Sequence, residues 1–201
     1  LYAIQIAGCD AKVMGEAAKM CEDFGADIVD INMGCPVKKV VNGYAGSALM
    51  KDELLAMSII ESVVNSVNIP VTLKMRKGWD EKSLNAPKLA SLAEKAGVKL
   101  ITIHGRTRCQ MFKGKSDWEF IKNVKKAVKI PVIVNGDITN ISEFKKAKSL
   151  SCADGVMIGR GSYGRPWIFR EMSENFTKNK NFKISNSLKK DIILEHFSNS
   201  L

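Results

Sequence analysis

Ile28-Val29-Asp30-Ile31-Asn32, followed by Met33 and then Gly34-Cys35-Pro36, is a short β-rich run that stops on a glycine and a proline beside a thiol. β-Branched residues favour a pleated strand, and Gly and Pro end it. Working outward, the layout recurs at Tyr2 to Ile6, Val71 to Met75, Leu100 to Ile103, Val132 to Val134 and Gly155 to Ile158. Each run is followed by a polar, glycine-bearing turn: Gly8-Cys9-Asp10, Arg76-Lys77-Gly78, His104-Gly105-Arg106, Asn135-Gly136-Asp137 and Gly159-Arg160-Gly161. Between the runs lie helical patterns. Ala56, Met57, Ile60, Val63, Val64 and Val67 keep helical spacing behind Asp52 as N-cap, and Ile121, Val124 and Val128 do so behind Asp117. Gly25 and Gly97 fall where a helix ends in a left-handed residue.

Strands that read as near-continuous apolar runs and alternate with helices imply a parallel sheet covered by helices. A doubly wound sheet gathers its chemistry at one switch point, whereas a (β/α)8 barrel, the TIM barrel, places it after every strand. The turns here favour the barrel. Six strands cannot close eight, so the first two are expected upstream of Leu1, which makes the last two strands seven and eight. The loops after those strands commonly hold phosphate, and here they are Asn135-Gly136-Asp137 and Gly159-Arg160-Gly161.

The chain has 201 residues, 45% hydrophobic and 26% charged, which suits one domain with a sizeable core and excludes a disordered tail. No apolar run is long enough for a bilayer, and the opening residues are no signal peptide, so a soluble cytoplasmic protein without a membrane is expected. Cys9, Cys21, Cys35, Cys109 and Cys152 are odd in number and hold no C-x-x-C pair, so neither disulfides nor a metal are expected. Lys and Arg exceed Asp and Glu by 31 to 21, and residues 99–130 alone carry nine basic against two acidic side chains. Such a surplus suits a polyanionic partner or a solvated helix face. Past Arg170 the composition turns to Asn, Lys and Ser. The expected organisation is a partial barrel over 1–176, a polar linker over 177–187 and the start of a helical domain over 188–201. No internal repeat is visible beyond the βα unit.

The full pattern D-I-N-x-G-C-P-x-x-K-V-x-x-x-x-x-G-S, from Asp30 to Ser47, resembles the tRNA-dihydrouridine synthases, flavin enzymes of the (β/α)8 class, and looks most like their bacterial B-type branch. Val71-Thr72-Leu73-Lys74-Met75-Arg76, His104-Gly105-Arg106-Thr107, Asn135-Gly136-Asp137-Ile138 and Gly159-Arg160-Gly161 extend the likeness over about residues 1–176. The family's A-P-M-x-G segment is absent, and Cys109 stands in a loop that varies. The resemblance implies FMN as cofactor, NADPH or NADH as reductant, and a D-loop uridine of tRNA as substrate, handled by a monomer. It implies FMN contacts from Gln5, Lys74, Asn135, Gly136, Asp137, Gly159 and Arg160, and places Asn32 and Cys35 at the uracil. His104 would meet the flavin phosphate, orient the uracil or satisfy a carbonyl. Arg106 and Arg108 would form the rim that meets tRNA phosphates, and Trp79 and Trp118 would stack on RNA or pack.

The chemistry fits those residue types. The C5=C6 bond of uracil is conjugated to the C4 carbonyl, so hydride at C6 leaves enolate character that must be protonated at C5. A thiol, ordinarily protonated at neutral pH, is a suitable acid. An asparagine can donate to and accept from a base edge, and a lysine can support negative charge near flavin N1. A free-pyrimidine flavin oxidoreductase of the dihydroorotate or dihydropyrimidine dehydrogenase kind, a non-catalytic RNA-binding barrel, and a phosphate-binding isomerase or lyase are the rivals. The basic rim opposes the first, the joint presence of Gln5, Cys35, Lys74, Asn135 and Arg160 the second, and the scarcity of paired carboxylates the third.

Overall fold

The computed structural model describes residues 1–178 and 182–199. Six strands, β1 (Ala3–Ile6), β2 (Ile28–Met33), β3 (Val71–Arg76), β4 (Leu100–His104), β5 (Val132–Asn135) and β6 (Gly155–Met157), form one sheet in the order β1-β2-β3-β4-β5-β6. Every neighbouring pair is parallel. The sequential order is that of a (β/α)8 barrel, here a six-strand part of one, because a doubly wound sheet would reverse direction from its first strand. Helices α1 (Ala11–Asp23), α3 (Glu53–Ser66), α4 (Ala86–Ala96), α5 (Trp118–Ala127) and α6 (Ile141–Ser151) make the crossovers.

Strand side chains divide by period two, not as continuous apolar runs. Val29, Ile31, Met33, Val71, Leu73, Met75, Ile101, Ile103, Val132 and Val134 are buried in one core with Ile59, Ile60, Leu89, Ile121 and Val124 of the helices. The alternate positions carry Asp30, Asn32, Thr72, Lys74, Thr102 and His104, paired across the sheet as Asp30 with Thr72, Asn32 with Lys74 and Lys74 with Thr102. The inner face is therefore polar, and it leads to the C-terminal ends of the strands. The helix ends follow their sequence signals. Asp52 Oδ1 accepts from the Leu55 N–H at 3.0 Å and Asp117 Oδ1 from the Phe120 N–H at 3.0 Å, caps worth about 1 kcal/mol each. Gly97 closes α4 at φ +110°, a conformation that few side chains tolerate.

The opposite ends of the strands contain a repeat that the sequence pattern conceals. Glu22 and Glu94 stand at the ends of α1 and α4 in matching stretches, Glu22-Asp23-Phe24-Gly25-Ala26-Asp27-Ile28 and Glu94-Lys95-Ala96-Gly97-Val98-Lys99-Leu100. Glu22 Oε1 accepts from the N–H groups of Asn68 and Ile69, and Glu94 Oε1 from those of Lys129 and Ile130. Those N–H donors lie in Val67-Asn68-Ile69-Pro70-Val71 and Val128-Lys129-Ile130-Pro131-Val132, where Val67 and Val128 end α3 and α5 at φ −133° and −134°. The unit α1-β2-α3-β3 is thus repeated as α4-β4-α5-β5, bonds and all. Identities are too few for a single-sequence scan, but the carboxylate clamp makes the correspondence plain.

Helix α7 (Ile168–Thr177) follows β6, and α8 (Asn186–Ser198) starts two residues before the expected domain start, with Ser185 Oγ accepting from the Leu188 N–H at 3.2 Å. Of the expected linker, residues 179–181 lie outside the described residues. Phe182 is tied to Asn175 by two hydrogen bonds, and Ile184 is buried, so this stretch returns onto α7. Among the described residues no helix is long and apolar enough to cross a membrane.

Candidate functional site

Cys35 opens the long excursion after β2, which contains α2 (Lys38–Asn42) and a 3-10 turn over Gly46–Lys51. Its backbone is fixed from three sides. Asn32 Oδ1 accepts from the N–H groups of Gly34 at 3.0 Å and Cys35 at 2.9 Å. Ser47, fully buried, donates its N–H and its hydroxyl to the Cys35 carbonyl at 3.0 and 2.8 Å. Gly46 makes that approach possible: at φ +59° a Cβ would sit 2.8 Å from the Cys35 oxygen. Asn32 itself is held by donating to Gln5 Oε1 at 2.7 Å, while Gln5 donates to Asp30 at 2.6 Å and Thr72 donates to the other Asp30 oxygen. Asn32, expected at the uracil edge, spends its carbonyl oxygen on the cysteine loop.

The third support is Arg76, which sequence reading did not single out. Fully buried at the end of β3, it donates to the carbonyls of Gly34 at 2.8 Å, Thr107 at 2.8 Å and Met111 at 2.9 Å. It staples the Cys35 loop to the loop after β4. Burial, then the neighbouring Arg106 charge, lowers its pKa to about 10, still protonated at neutral pH. Burial likewise lowers the Lys74 ammonium, with Arg76 adding to the effect, and no acceptor among the described residues bonds to it. His104 is 8% exposed, and burial followed by the charges of Arg76, Lys74 and Arg106 holds its pKa at about 3. The imidazole is therefore neutral.

The loops after β4 and β5 are joined by Arg106 and Asp137. Arg106, placed by expectation on the RNA-facing rim, is 2% exposed. It bonds Asp137 at 2.8 and 2.6 Å and the carbonyls of Lys113 and Gly114 at 3.1 and 2.6 Å. Its donors are consumed within the fold, so it belongs to the scaffold. The Asp137 carboxylate serves Arg106 and the Ser116 N–H at 2.8 Å. Burial pushes that carboxyl up, but the Arg106 and Ser116 bonds outweigh it and leave it below the usual range. Trp118 donates to the Gly136 carbonyl at 2.8 Å and packs against the core, which assigns it to structure. Arg108 stays near the surface, 4.7 Å from the centroid of the Trp79 ring.

A cavity of about 650 Å³ opens over the polar inner face and brings together Gln5, Asn32, Cys35, Lys74, His104, Asn135, Gly136, Asp137, Gly159 and Arg160. Arg106 and Arg108 do not line it. Asn135 donates to the Met157 carbonyl at 2.9 Å, which ties the two glycine loops together. No acceptor within the described residues takes the N–H groups of Gly136, Asp137, Arg160 or Gly161. Gly136 holds φ +114°, and a Cβ there would lie 2.6 Å from the His104 ring. Phe112 and Tyr163 line the same cavity and were not found from sequence. Phe112 lies 5.2 Å from the Arg160 guanidinium and 5.9 Å from that of Arg76. Phe112 directly follows a residue with positive φ, Met111, and neither ring keeps a periodic spacing with the strands. Cys109 is exposed and lines a separate depression.

A family model described as dihydrouridine synthase matches residues 1–200. A probable tRNA-dihydrouridine synthase of Rickettsia bellii is 57% identical over 196 residues, covering 96% of this chain and 60% of that protein. The tRNA-dihydrouridine synthase B of Pasteurella multocida is 47% identical over 198 residues, covering 98% and 59%. The chain thus spans about 60% of the length of the curated relatives it matches. Among solved structures, a mandelate racemase/muconate lactonizing enzyme-like protein from Roseovarius aligns with TM-score 0.60 at 16% identity, covering 82% of this chain and 39% of that one. A putative phosphonomutase from Burkholderia cenocepacia aligns with TM-score 0.57 at 16% identity, covering 78% and 68%. At such identity the two structures speak to the fold alone.

Proposed function

The chain belongs to the dihydrouridine synthase family, and from that premise we propose that the protein reduces the C5=C6 bond of a D-loop uridine in tRNA to 5,6-dihydrouridine, with FMN as cofactor and NADPH or NADH as reductant. The observation that carries the reading is one cavity holding Cys35 on one side and the unengaged N–H groups of the two glycine loops on the other. Its size lies within the range of cofactor sites.

The donor set fits FMN. Backbone N–H groups of Gly136, Asp137, Arg160 and Gly161 suit a phosphate, and Arg160 adds charge beside them. Its NH2 group also stands 3.7 Å from an Asp137 oxygen, which orients it over the loop. Lys74, with no protein acceptor, suits the electron-rich end of a reduced ring system. Gln5 reaches the cavity through the Asp30 and Asn32 bonds that fix it. Bound FMN would supply the hydride that adds to uracil C6.

The remaining roles belong to the chain. Cys35, immobilised by Asn32, Ser47 and Arg76, gives its thiol proton to C5. A neutral His104 contributes hydrogen bonds to base or cofactor without adding a charge. Arg76 keeps the cysteine loop and the β4 loop in register. The inner polar face excludes bulk water once base and cofactor fill the cavity. The helical stretch from residue 186 onward would belong to a tRNA-binding extension, and the enzyme would act as a cytoplasmic monomer.

The test is direct: the purified protein should show the visible absorbance of an oxidised flavin, lose it with NADPH, and convert unmodified tRNA to a product containing dihydrouridine by mass spectrometry. Turnover of free uracil or dihydroorotate with tRNA left intact would assign the site to free pyrimidines. Colourless protein that binds tRNA without modifying it would assign a binding role only.

A further inference from the structure

A second cavity, about 470 Å³, lies at the C-terminal end of β2 and β3, lined by Tyr44, Lys51, Asp52 and Trp79 among others. It is built from the loops after β2 and β3, while the loops after β5 and β6 shape the phosphate end of the first cavity. Trp79 is held in place by its backbone: its carbonyl accepts from the Cys109 N–H at 2.9 Å, and the adjacent Gly78 carbonyl from the Arg108 N–H at 3.0 Å. Two cations approach its ring, Lys51 at 4.9 Å and Arg108 at 4.7 Å from the centroid. Arg108 does not itself line the cavity, and its Nε is buried without a hydrogen-bond partner.

Tyr44 is the second observation. It holds φ +57°, a conformation that a bulky side chain seldom adopts, and the residue is 74% exposed at the cavity wall. No burial is gained in return. An exposed aromatic side chain, a fixed indole and two cations are the components of a stacking site for a nucleobase with its phosphate. The acid in the wall, Asp52, is engaged as the N-cap of α3, where the helix N-terminus offsets its charge. Lys38 and Lys39 of α2 are exposed nearby in the chain and keep the rim basic.

We infer that the Tyr44–Trp79 cavity is a nucleotide subsite, distinct from the reaction cavity, that stacks one unpaired base of the bound RNA and holds its phosphate with Lys51, Arg108 adding charge from beside the indole. The inference rests on the proposed tRNA reading and adds to it a direction: the RNA crosses the mouth on the side of β2, β3 and β4. An acidic peptide would satisfy the cations but has no use for an exposed tyrosine ring.

The experiment measures binding of an unmodified tRNA transcript and of heparin, a polyanion without bases, by the wild-type protein and by Tyr44→Asn, Tyr44→Phe and Lys51→Gln. Asparagine tolerates positive φ, so Tyr44→Asn should melt no lower than the wild type while weakening tRNA binding by roughly 5- to 150-fold, the range for loss of one stacked base. Its heparin affinity should not change. Tyr44→Phe should keep tRNA binding, and Lys51→Gln should reduce the slope of log K against log salt by about 0.7 to 0.9. Equal tRNA affinity of Tyr44→Asn and wild type overturns the subsite. So does an equal loss for tRNA and heparin, which would make the patch a simple charge patch. A wild-type protein that does not bind tRNA at all removes the tRNA reading first, and is recognised by that.

Discussion

Cys35 and Cys109 are both partly open thiols on loops at the same end of the sheet, yet their surroundings differ. Cys35 is fixed through Asn32, Ser47 and Arg76 beside Lys74 and His104, whereas Cys109 is exposed outside the cavity. Cys35→Ala should lower dihydrouridine formation by about 10² to 10⁴, the usual worth of a positioned acid, and Cys109→Ala should retain it; single-turnover assays with excess tRNA decide. A reversed result would move the acid to the β4 loop. His104 gives a second expectation. Unfolded, it titrates near about 6.5, and folded at about 3, so between those values only the unfolded chain takes up the proton. Stability should therefore fall as pH drops through that window, by at most about 1.4 kcal/mol per pH unit from this group. Denaturant midpoints from pH 7 to 4 should fall less steeply for His104→Gln, and identical slopes would show the imidazole to be solvated. Cys35 and the glycine loops were legible because each follows a strand within a few residues, and Lys74 because it lies near the end of one. Arg76 and Phe112 were not, since what they do depends on partners tens of residues away in the chain.

At the level of elements, the loops after β4 and β5 behave as one piece because Arg106 bridges them through Asp137, with the Lys113 and Gly114 carbonyls on its remaining donors. Arg106→Ala strands a half-buried carboxylate and two carbonyls, so a loss of about 3 kcal/mol is expected, visible as a lower Tm. Restoring part of it with Asp137→Asn in the same chain would confirm the pairing. An unchanged Tm, with only a flatter salt dependence of tRNA binding, would return Arg106 to the rim. Strands and caps were plain in the sequence: β-rich runs at Val71 and Leu100, and Asp52 and Asp117 ahead of helical spacing. The short helix α2 and the 3-10 turn that follows it were hidden, because Lys38 to Lys51 shows neither the helical nor the strand period. What shapes that stretch is its bonding to Cys35 and the left-handed glycine at 46.

Over the whole molecule, the two ends of the sheet answer to different demands. At one end Glu22 and Glu94 each take two N–H groups of the chain entering β3 and β5. Glu94→Ala should lower Tm, Glu22→Ala should lower it by a similar amount, and catalysis at moderate temperature should be kept, since neither carboxylate lies at the cavity. A large loss of activity with unchanged Tm would mean that the clamps control the site. At the other end the two units diverge: Asn32-Met33-Gly34-Cys35 closes β2 where His104-Gly105-Arg106-Thr107 closes β4. The four-element units α1-β2-α3-β3 and α4-β4-α5-β5 therefore act as cassettes with a common socket and individual heads. Because the socket is a glutamate reaching two peptide groups, it is indifferent to what the far loops carry. A chimaera that joins the helix and strand bodies of one cassette to the loops of the other would keep each clamp, so that the chemistry of this protein could be rewired without redrawing its frame.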